Sequence, residues 1–122
     1  MPKKILIVDD EPEICELIAE RLRDDGHEVF SANTGRAGLT HLDQTDFDLV
    51  ILDIYLPDVE GTAIYEVMRK AVRHRKTPVI FLTALAAGSQ PRFAGIDDIA
   101  YTIISKPAKL EDIQKEVTRL LG

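Results

Sequence analysis

Short apolar runs alternate with segments of helical periodicity along this chain, and the alternation restricts its fold more than any other feature. The runs carry Val, Ile and Leu without polar alternation, which is typical of strands covered on both faces of a parallel sheet. They occupy Ile5–Val8, Leu49–Leu52, Val79–Leu82 and Ile103–Ile104, with a weaker run at Glu28–Ala32. We therefore predict five strands of a parallel sheet.

Helical spacing separates these runs. In residues 12–24, the apolar side chains of Ile14, Cys15, Ile18 and Leu22 share one stripe of a helix. The order β-α-β-α-β-α-β-(α)-β-α predicts a doubly wound sheet with right-handed crossovers, which binds ligands beyond the carboxyl ends of its strands. Further helices are predicted over residues 35–43, 61–75 and 109–121.

One expected helix has an unfavourable sequence. Residues 85–99 should hold the helix between the last two strands, yet Gly88, Pro91 and Gly95 interrupt it. We expect a short, displaced or mobile element in this segment.

Charge and cysteine content restrict the partners and the compartment. The 122 residues include 21 acids and 15 bases, and the net charge of −6 argues against nucleic acid as a direct partner. The single cysteine, Cys15, excludes an internal disulfide and is compatible with a reducing cytoplasm. No apolar run approaches the ~20 residues that span a membrane. We expect one cytoplasmic domain over residues 1–122, without a membrane partner.

Polar residues end the predicted strands. Asp9 and Asp10 follow the first strand, Asp53 the third, Thr83 the fourth and Lys106 the fifth. Each residue alone is more often a helix cap, a turn residue or a solvated charge. Together, three carboxylates, a hydroxyl and an ammonium at one edge of one sheet indicate a functional site.

Three clustered carboxylates repel one another, and a hard divalent cation relieves that repulsion. Mg²⁺ (or Mn²⁺) takes oxygen ligands and commonly uses one or two carboxylates together with phosphate oxygens. Lys106 and Thr83 then supply a positive charge and a hydroxyl donor for phosphoryl oxygens. Asp53 is left as the nucleophile that forms an aspartyl phosphate.

Four short motifs carry a resemblance to a known family: VDD at 8–10, DIYLPDVEG at 53–61, TA at 83–84 and KP at 106–107. In this order they resemble the CheY-like receiver domain of two-component response regulators, over essentially the whole chain. The resemblance implies a flavodoxin-like five-stranded parallel sheet of order 2-1-3-4-5 with helices on both faces. It also implies a phosphoacceptor signalling domain rather than an enzyme, which receives its phosphoryl group from a sensor histidine kinase or a histidine phosphotransfer protein.

The resemblance assigns roles to individual residues. Asp53 is the implied phosphoacceptor. Asp10, Asp53 and the backbone carbonyl of Tyr55 are the implied Mg²⁺ ligands, with Asp9 acting through water. Phosphorylation would switch the binding of an unknown downstream protein or of a C-terminal output domain missing from this chain.

Thr83 and Lys106 would contact the phosphoryl group, and the Lys106–Pro107 bond would be cis by the same resemblance. Ile103 occupies the position where the family usually has its switch aromatic residue. The coupling between Thr83 and an aromatic side chain therefore does not follow from the resemblance. Tyr101 is a substitute candidate, two residues earlier on the same face of the strand.

Access of water to the phosphoryl group would be controlled by Tyr55 and Leu85, two positions after Asp53 and Thr83. Neither side chain offers a carboxylate or amide that orients an attacking water, so we expect slow self-dephosphorylation.

Three alternatives share the fold class or the chemistry. An FMN-binding flavodoxin needs a hydroxyl- and glycine-rich phosphate loop where Asp9 and Asp10 lie. A phosphatase with an aspartate nucleophile needs a second Asp two residues later, and Tyr55 occupies that position. A degenerate receiver that binds proteins without phosphorylation would not require the intact acidic set.

Overall fold

The structure is a computed structural model, and it describes residues 3–84 and 101–122. Five strands form one parallel sheet of order β2-β1-β3-β4-β5, so the predicted fold class and strand order are confirmed. The strands are β1 (Lys4–Val8), β2 (Glu28–Ala32), β3 (Leu49–Asp53), β4 (Val79–Thr83) and β5 (Tyr101–Ser105). The helices of the described residues are α1 (Pro12–Asp24), α2 (Gly35–Gln44), α3 (Gly61–Lys70), a 3₁₀ turn (Val72–His74) and α4 (Leu110–Leu121).

Helices cover both faces of the sheet. Alternate residues of the central strands β1, β3 and β4 point to opposite faces, and every residue of β3 and β4 is buried. One face packs on α2 and α3, and the other packs on α1 and α4. This two-sided burial is the reason why the strand sequences lack polar alternation.

Gly38 has a packing role in α2. A Cβ atom at this position would lie 2.9 Å from Cγ2 of Val8, so a side chain would force the helix away from β1. The sequence indicates only that glycine weakens the helix. The structure shows that this glycine allows close packing of the helix on the sheet.

The prediction of one helix over residues 61–75 is wrong. α3 ends at Lys70, because Ala71 adopts an extended backbone with φ −88° and ψ 133°, and a 3₁₀ turn follows. Arg69 is also buried: its guanidinium lies 4.4 Å from the centre of the Tyr65 ring and donates to the His74 carbonyl at 3.0 Å. The apolar periodicity of this segment therefore continues past the true end of the helix.

The element expected within residues 85–99 lies outside the described residues. Among the residues that the structure describes, no helix has the length and apolar character needed to cross a bilayer.

Candidate phosphoacceptor and metal site

The strand register brings the strand-end residues together. Val8 of β1 pairs with Leu52 of β3, so Asp9 and Asp53 emerge side by side at the carboxyl edge. One carboxylate oxygen from each of Asp9, Asp10 and Asp53 lies within 4.8 Å of the others. Asp9 and Asp53 are buried, whereas Asp10 is exposed. The edge of the sheet thus holds a compact, partly desolvated carboxylate cluster.

Backbone N–H groups fix two of these carboxylates. Oδ1 of Asp9 accepts a hydrogen bond from the Glu11 N–H at 3.0 Å, and Oδ1 of Asp53 accepts one from the Tyr55 N–H at 3.1 Å. Both are short side-chain-to-backbone turns, which Asp favours. The second oxygen of each carboxylate lies beside the Lys106 ammonium group.

Gly61 allows the β3–α3 loop to approach the strand that carries Asp53. A Cβ atom at Gly61 would lie only 2.2 Å from the backbone oxygen of Asp53, and the Gly61 N–H donates to the Ile54 carbonyl at 2.8 Å. Only glycine fits such a close backbone approach without a shift of the chain. The last residue of the DIYLPDVEG motif therefore shapes the backbone that carries Asp53.

Lys106 occupies the centre of the carboxylate cluster. Its Nζ lies 2.9 Å from Asp9 Oδ2, 3.0 Å from Glu11 Oε1 and 3.2 Å from Asp53 Oδ2. The Lys106 N–H donates to the Thr83 carbonyl at 2.7 Å, which anchors the lysine beside β4. The Lys106–Pro107 peptide bond is cis.

Both Lys106 and Asp53 have a raised pKa within this cluster. Burial disfavours the charged form of Lys106, but the carboxylates of Asp9, Glu11 and Asp53 outweigh this and raise its pKa. Burial raises the pKa of Asp53 above its ordinary value, although the Tyr55 N–H and Lys106 oppose the rise. The lysine is therefore a permanent cation, and Asp53 is a carboxylate poorly stabilised by water.

The Thr83 hydroxyl has no hydrogen-bond partner among the residues that the structure describes. Thr83 is fully buried, and its Oγ1 accepts or donates no hydrogen bond within residues 3–84 and 101–122. A buried hydroxyl without a partner costs roughly 1–3 kcal/mol, so its retention favours a role toward a bound group.

Comparison with known proteins identifies the family of this chain. The model of the response regulator receiver domain family matches residues 5–118. This chain belongs to that family. The transcriptional regulatory protein TcrA of Mycobacterium tuberculosis is 38% identical over 111 residues, which cover 90% of this chain and 42% of that protein. The DNA-binding dual master transcriptional regulator RpaA of Synechocystis is 36% identical over 121 residues, covering 99% of this chain and 49% of that protein.

Solved structures agree on the fold. The chemotaxis response regulator CheY4 of Vibrio cholerae superposes with a TM-score of 0.89 at 26% identity, covering 99% of this chain and 100% of that one. The response regulator TrrA of Thermotoga maritima, in complex with Mg²⁺ and a beryllium fluoride, has a TM-score of 0.79 at 33% identity, with 98% and 99% coverage. This chain is therefore a receiver domain of two-component signalling, and it spans about half the length of the curated relatives it matches.

An aromatic cluster lies beside β5. Tyr101 contacts Phe81 and Tyr65 edge-to-face, with ring centres 5.6 and 5.7 Å apart, and it is 37% exposed. Ile103 packs on the same core face as Phe81. Tyr101 thus lies between the strand that ends in Thr83 and the solvent, and its role as a switch stays a prediction.

Of the two residues predicted to control water access, only Tyr55 lies within the described part of the chain. Tyr55 is 59% exposed beside Asp53, and Leu85 lies outside the described residues. Their effect on the phosphoryl lifetime stays a prediction.

Two contacts of the receiver site were missed in the sequence. Glu11 contacts Lys106, and its only sequence signal is an acid directly after the Asp9–Asp10 pair. Asp58 reaches from the β3–α3 loop to the start of α2, where its carboxylate accepts from the N–H groups of Gly35 at 2.8 Å and Arg36 at 3.0 Å. The helix start after Thr34 is a local pattern, but an acid that caps it from 23 residues away is not.

Replacing Asp58 with Ala should lower the melting temperature at neutral pH and leave it almost unchanged in acid. The Gly35 and Arg36 N–H groups lower the pKa of Asp58 from its ordinary value of 3.8, so its ionised form binds more strongly in the folded state. That contribution is complete above this ordinary value and is lost as the pH falls through the lowered pKa. Melting curves from pH 7 to pH 3 test this, with Asp43→Ala, an exposed acid at the other end of α2, as the control. A difference from wild type that does not become smaller as the pH falls below 3.8 would contradict the capping role.

Proposed function

We propose that this receiver domain accepts a phosphoryl group on Asp53 in a Mg²⁺-dependent or Mn²⁺-dependent reaction. The donor is a sensor histidine kinase or a histidine phosphotransfer protein. One observation carries the proposal: the buried Asp53 carboxylate contacts the Lys106 ammonium at 3.2 Å and shares an oxygen cluster with Asp9 and Asp10. A carboxylate nucleophile, an ammonium group and a set of oxygen atoms suited to a metal ion thus lie next to one another.

The donor set fits Mg²⁺. Asp9, Asp10 and Asp53 offer only oxygen, and Lys106 is a single positive charge among them, so the cluster keeps a net negative charge that a divalent cation would offset. Asp9 and Asp53 each have one oxygen held by a backbone N–H and the other beside Lys106, whereas Asp10 is exposed. The exposed carboxylate supports Asp10 as a direct ligand. Asp53 and the Tyr55 carbonyl as direct ligands, and Asp9 as a ligand through water, are proposed from the receiver motif.

A bound Mg²⁺ would supply the positive charge that allows a phosphoryl group to approach these carboxylates. The chain's own residues do the rest. One Asp53 carboxylate oxygen forms the new bond to phosphorus while the P–N bond of a phosphohistidine breaks, and the imidazole leaves with that electron pair. Lys106 and the Thr83 hydroxyl provide donors for the phosphoryl oxygens that acquire charge.

The output is proposed from the relatives. TcrA and RpaA are named transcriptional regulators, and this chain matches only 42% and 49% of their lengths. We infer that phosphorylation changes the binding of either a separate protein or an output domain joined to this receiver. Direct contact of the receiver with nucleic acid is not proposed, since its net charge is −6.

Acetyl phosphate with Mg²⁺ is expected to add one phosphoryl group to the protein, and excess EDTA should prevent it. The carboxylate cluster repels an anionic donor unless a cation is bound, so removal of the metal should lower the rate by several powers of ten. Intact-mass spectrometry under denaturing conditions measures the gain.

The same experiment separates the alternatives. A mass that never increases with any phosphodonor would favour the degenerate receiver. Release of many equivalents of inorganic phosphate per protein each minute would favour the phosphatase. An EDTA-insensitive gain would contradict the metal assignment.

A further inference from the structure

Three carboxylates surround the ammonium group of Lys106. Nζ donates to Glu11 Oε1 at 3.0 Å and to Asp53 Oδ2 at 3.2 Å, and it forms an ion pair with Asp9 Oδ2 at 2.9 Å. The lysine side chain is only 14% exposed, so water has little access to it. A phosphoryl oxygen can therefore gain this ammonium only if a carboxylate gives it up.

The three partners differ in how easily they can be exchanged. Asp9 is 1% exposed, and its other oxygen is held by the Glu11 N–H, so it cannot be rehydrated without a change of the site. Asp53 is the phosphoacceptor itself. The Glu11 side chain is 54% exposed, and water can solvate its carboxylate as soon as it leaves Lys106. Glu11 is the exchangeable partner.

We propose that Glu11 is a positioning residue that holds Lys106 in the unphosphorylated receiver and thereby slows phosphoryl transfer to Asp53. This inference rests on the proposed function. Glu11 competes with the incoming phosphoryl oxygens for one ammonium donor, and its charge repels the anionic donor across the same lysine. The residue thus acts on the nucleophile through Lys106, without contact to the reacting atoms.

The geometry makes the competition direct. Nζ lies 3.0 Å from Glu11 and 3.2 Å from Asp53, so one ammonium joins the exchangeable acid to the phosphoacceptor. Once Asp53 is phosphorylated, its carboxylate charge is gone and the phosphoryl group brings a larger charge to the same place. A lysine still attached to Glu11 would stabilise that charge less.

The test compares Glu11→Gln with Glu13→Gln. Gln keeps the length of the side chain and the backbone N–H that holds Asp9, but it removes the charge. Glu13 is an exposed acid in the same first turn of α1, so its variant controls for the loss of one negative charge. Rates of phosphorylation by acetyl phosphate are measured at saturating Mg²⁺ by intact mass, together with the melting temperature and the calorimetric Mg²⁺ affinity.

Glu11→Gln should raise the phosphorylation rate about 3- to 10-fold at low ionic strength, as expected for the loss of one close like charge. Raising the salt to about 0.5 M should reduce the gain, since screening acts on charge and leaves a structural effect unchanged. Glu11→Asp keeps the charge on a shorter side chain and should give an intermediate rate. Glu13→Gln should stay within about twofold of wild type.

A Glu11→Gln rate equal to or below that of Glu13→Gln would overturn the inference, as would a gain that is insensitive to salt. Failure of the proposed function has a different signature: wild type and all variants would then show no mass gain at all.

Discussion

Asp53→Asn should abolish the gain of a phosphoryl group from acetyl phosphate. The amide of Asn is neutral and cannot form an acyl phosphate, while the side chain keeps its shape and its place beside the Tyr55 N–H and Lys106. Intact-mass spectrometry with Mg²⁺ present should show no increase over hours.

Asp48 provides a matched control. It directly precedes β3, at the end opposite to Asp53, where it is exposed and its Oδ2 accepts a hydrogen bond from the Lys4 N–H at 2.8 Å. Asp48→Asn should therefore be phosphorylated like wild type. A phosphoryl gain that survives in Asp53→Asn would show that another residue is the nucleophile.

Mg²⁺ should raise the melting temperature of the wild-type protein, and Asp10→Asn should remove most of that rise. Asp9, Asp10 and Asp53 place oxygens within 4.8 Å of one another only in the folded state, so the cation binds that state. At about 100 times the dissociation constant this linkage adds about 2.7 kcal/mol, or roughly 10 °C for a domain of this size.

Without metal, Asp10→Asn should have a higher melting temperature than the wild-type protein. Asp10→Asn removes one of three repelling carboxylates and should melt above the wild type in EDTA. Glu20→Gln, an exposed acid of α1 away from the strand ends, is the control and should keep the full response to Mg²⁺. Wild-type melting curves that coincide with and without Mg²⁺ would remove the metal site.

The strands were predictable from composition, whereas the order of the strands in the sheet was predicted from the receiver-domain resemblance. A strand buried on both faces must be apolar throughout, and β3 and β4 are such strands. The residues at their carboxyl ends were predictable for the same reason, since Asp53 and Thr83 interrupt an apolar run at the edge where ligands bind.

The end of α3 was not predictable from periodicity. The helix predicted over residues 61–75 extends past Lys70, where a 3₁₀ turn buries His74 beside Phe47 while Val72 of the same turn is exposed. The break depends on the extended backbone of Ala71, and alanine itself favours helix.

The contacts within the site were also beyond the sequence. Lys106 is 95 residues from Glu11 in the chain, and their contact depends on how the α1 start faces the β5 end across the sheet edge. Likewise, the sequence indicates only that Gly38 weakens its helix, and the close packing of Gly38 on Val8 becomes visible in the structure. The roles of these residues depend on contacts between segments that are far apart in the chain, and the local sequence pattern does not predict such contacts.

The central claim is that Asp53 is the residue that receives the phosphoryl group. The direct measurement is chemical trapping after treatment with acetyl phosphate and Mg²⁺: borohydride reduces an acyl phosphate to an alcohol, and tandem mass spectrometry of the peptides locates the reduced residue. We expect the modification at Asp53 alone, absent when EDTA replaces Mg²⁺. Reduction at Asp9, Asp10 or Glu11, with Asp53 unchanged, would contradict the account.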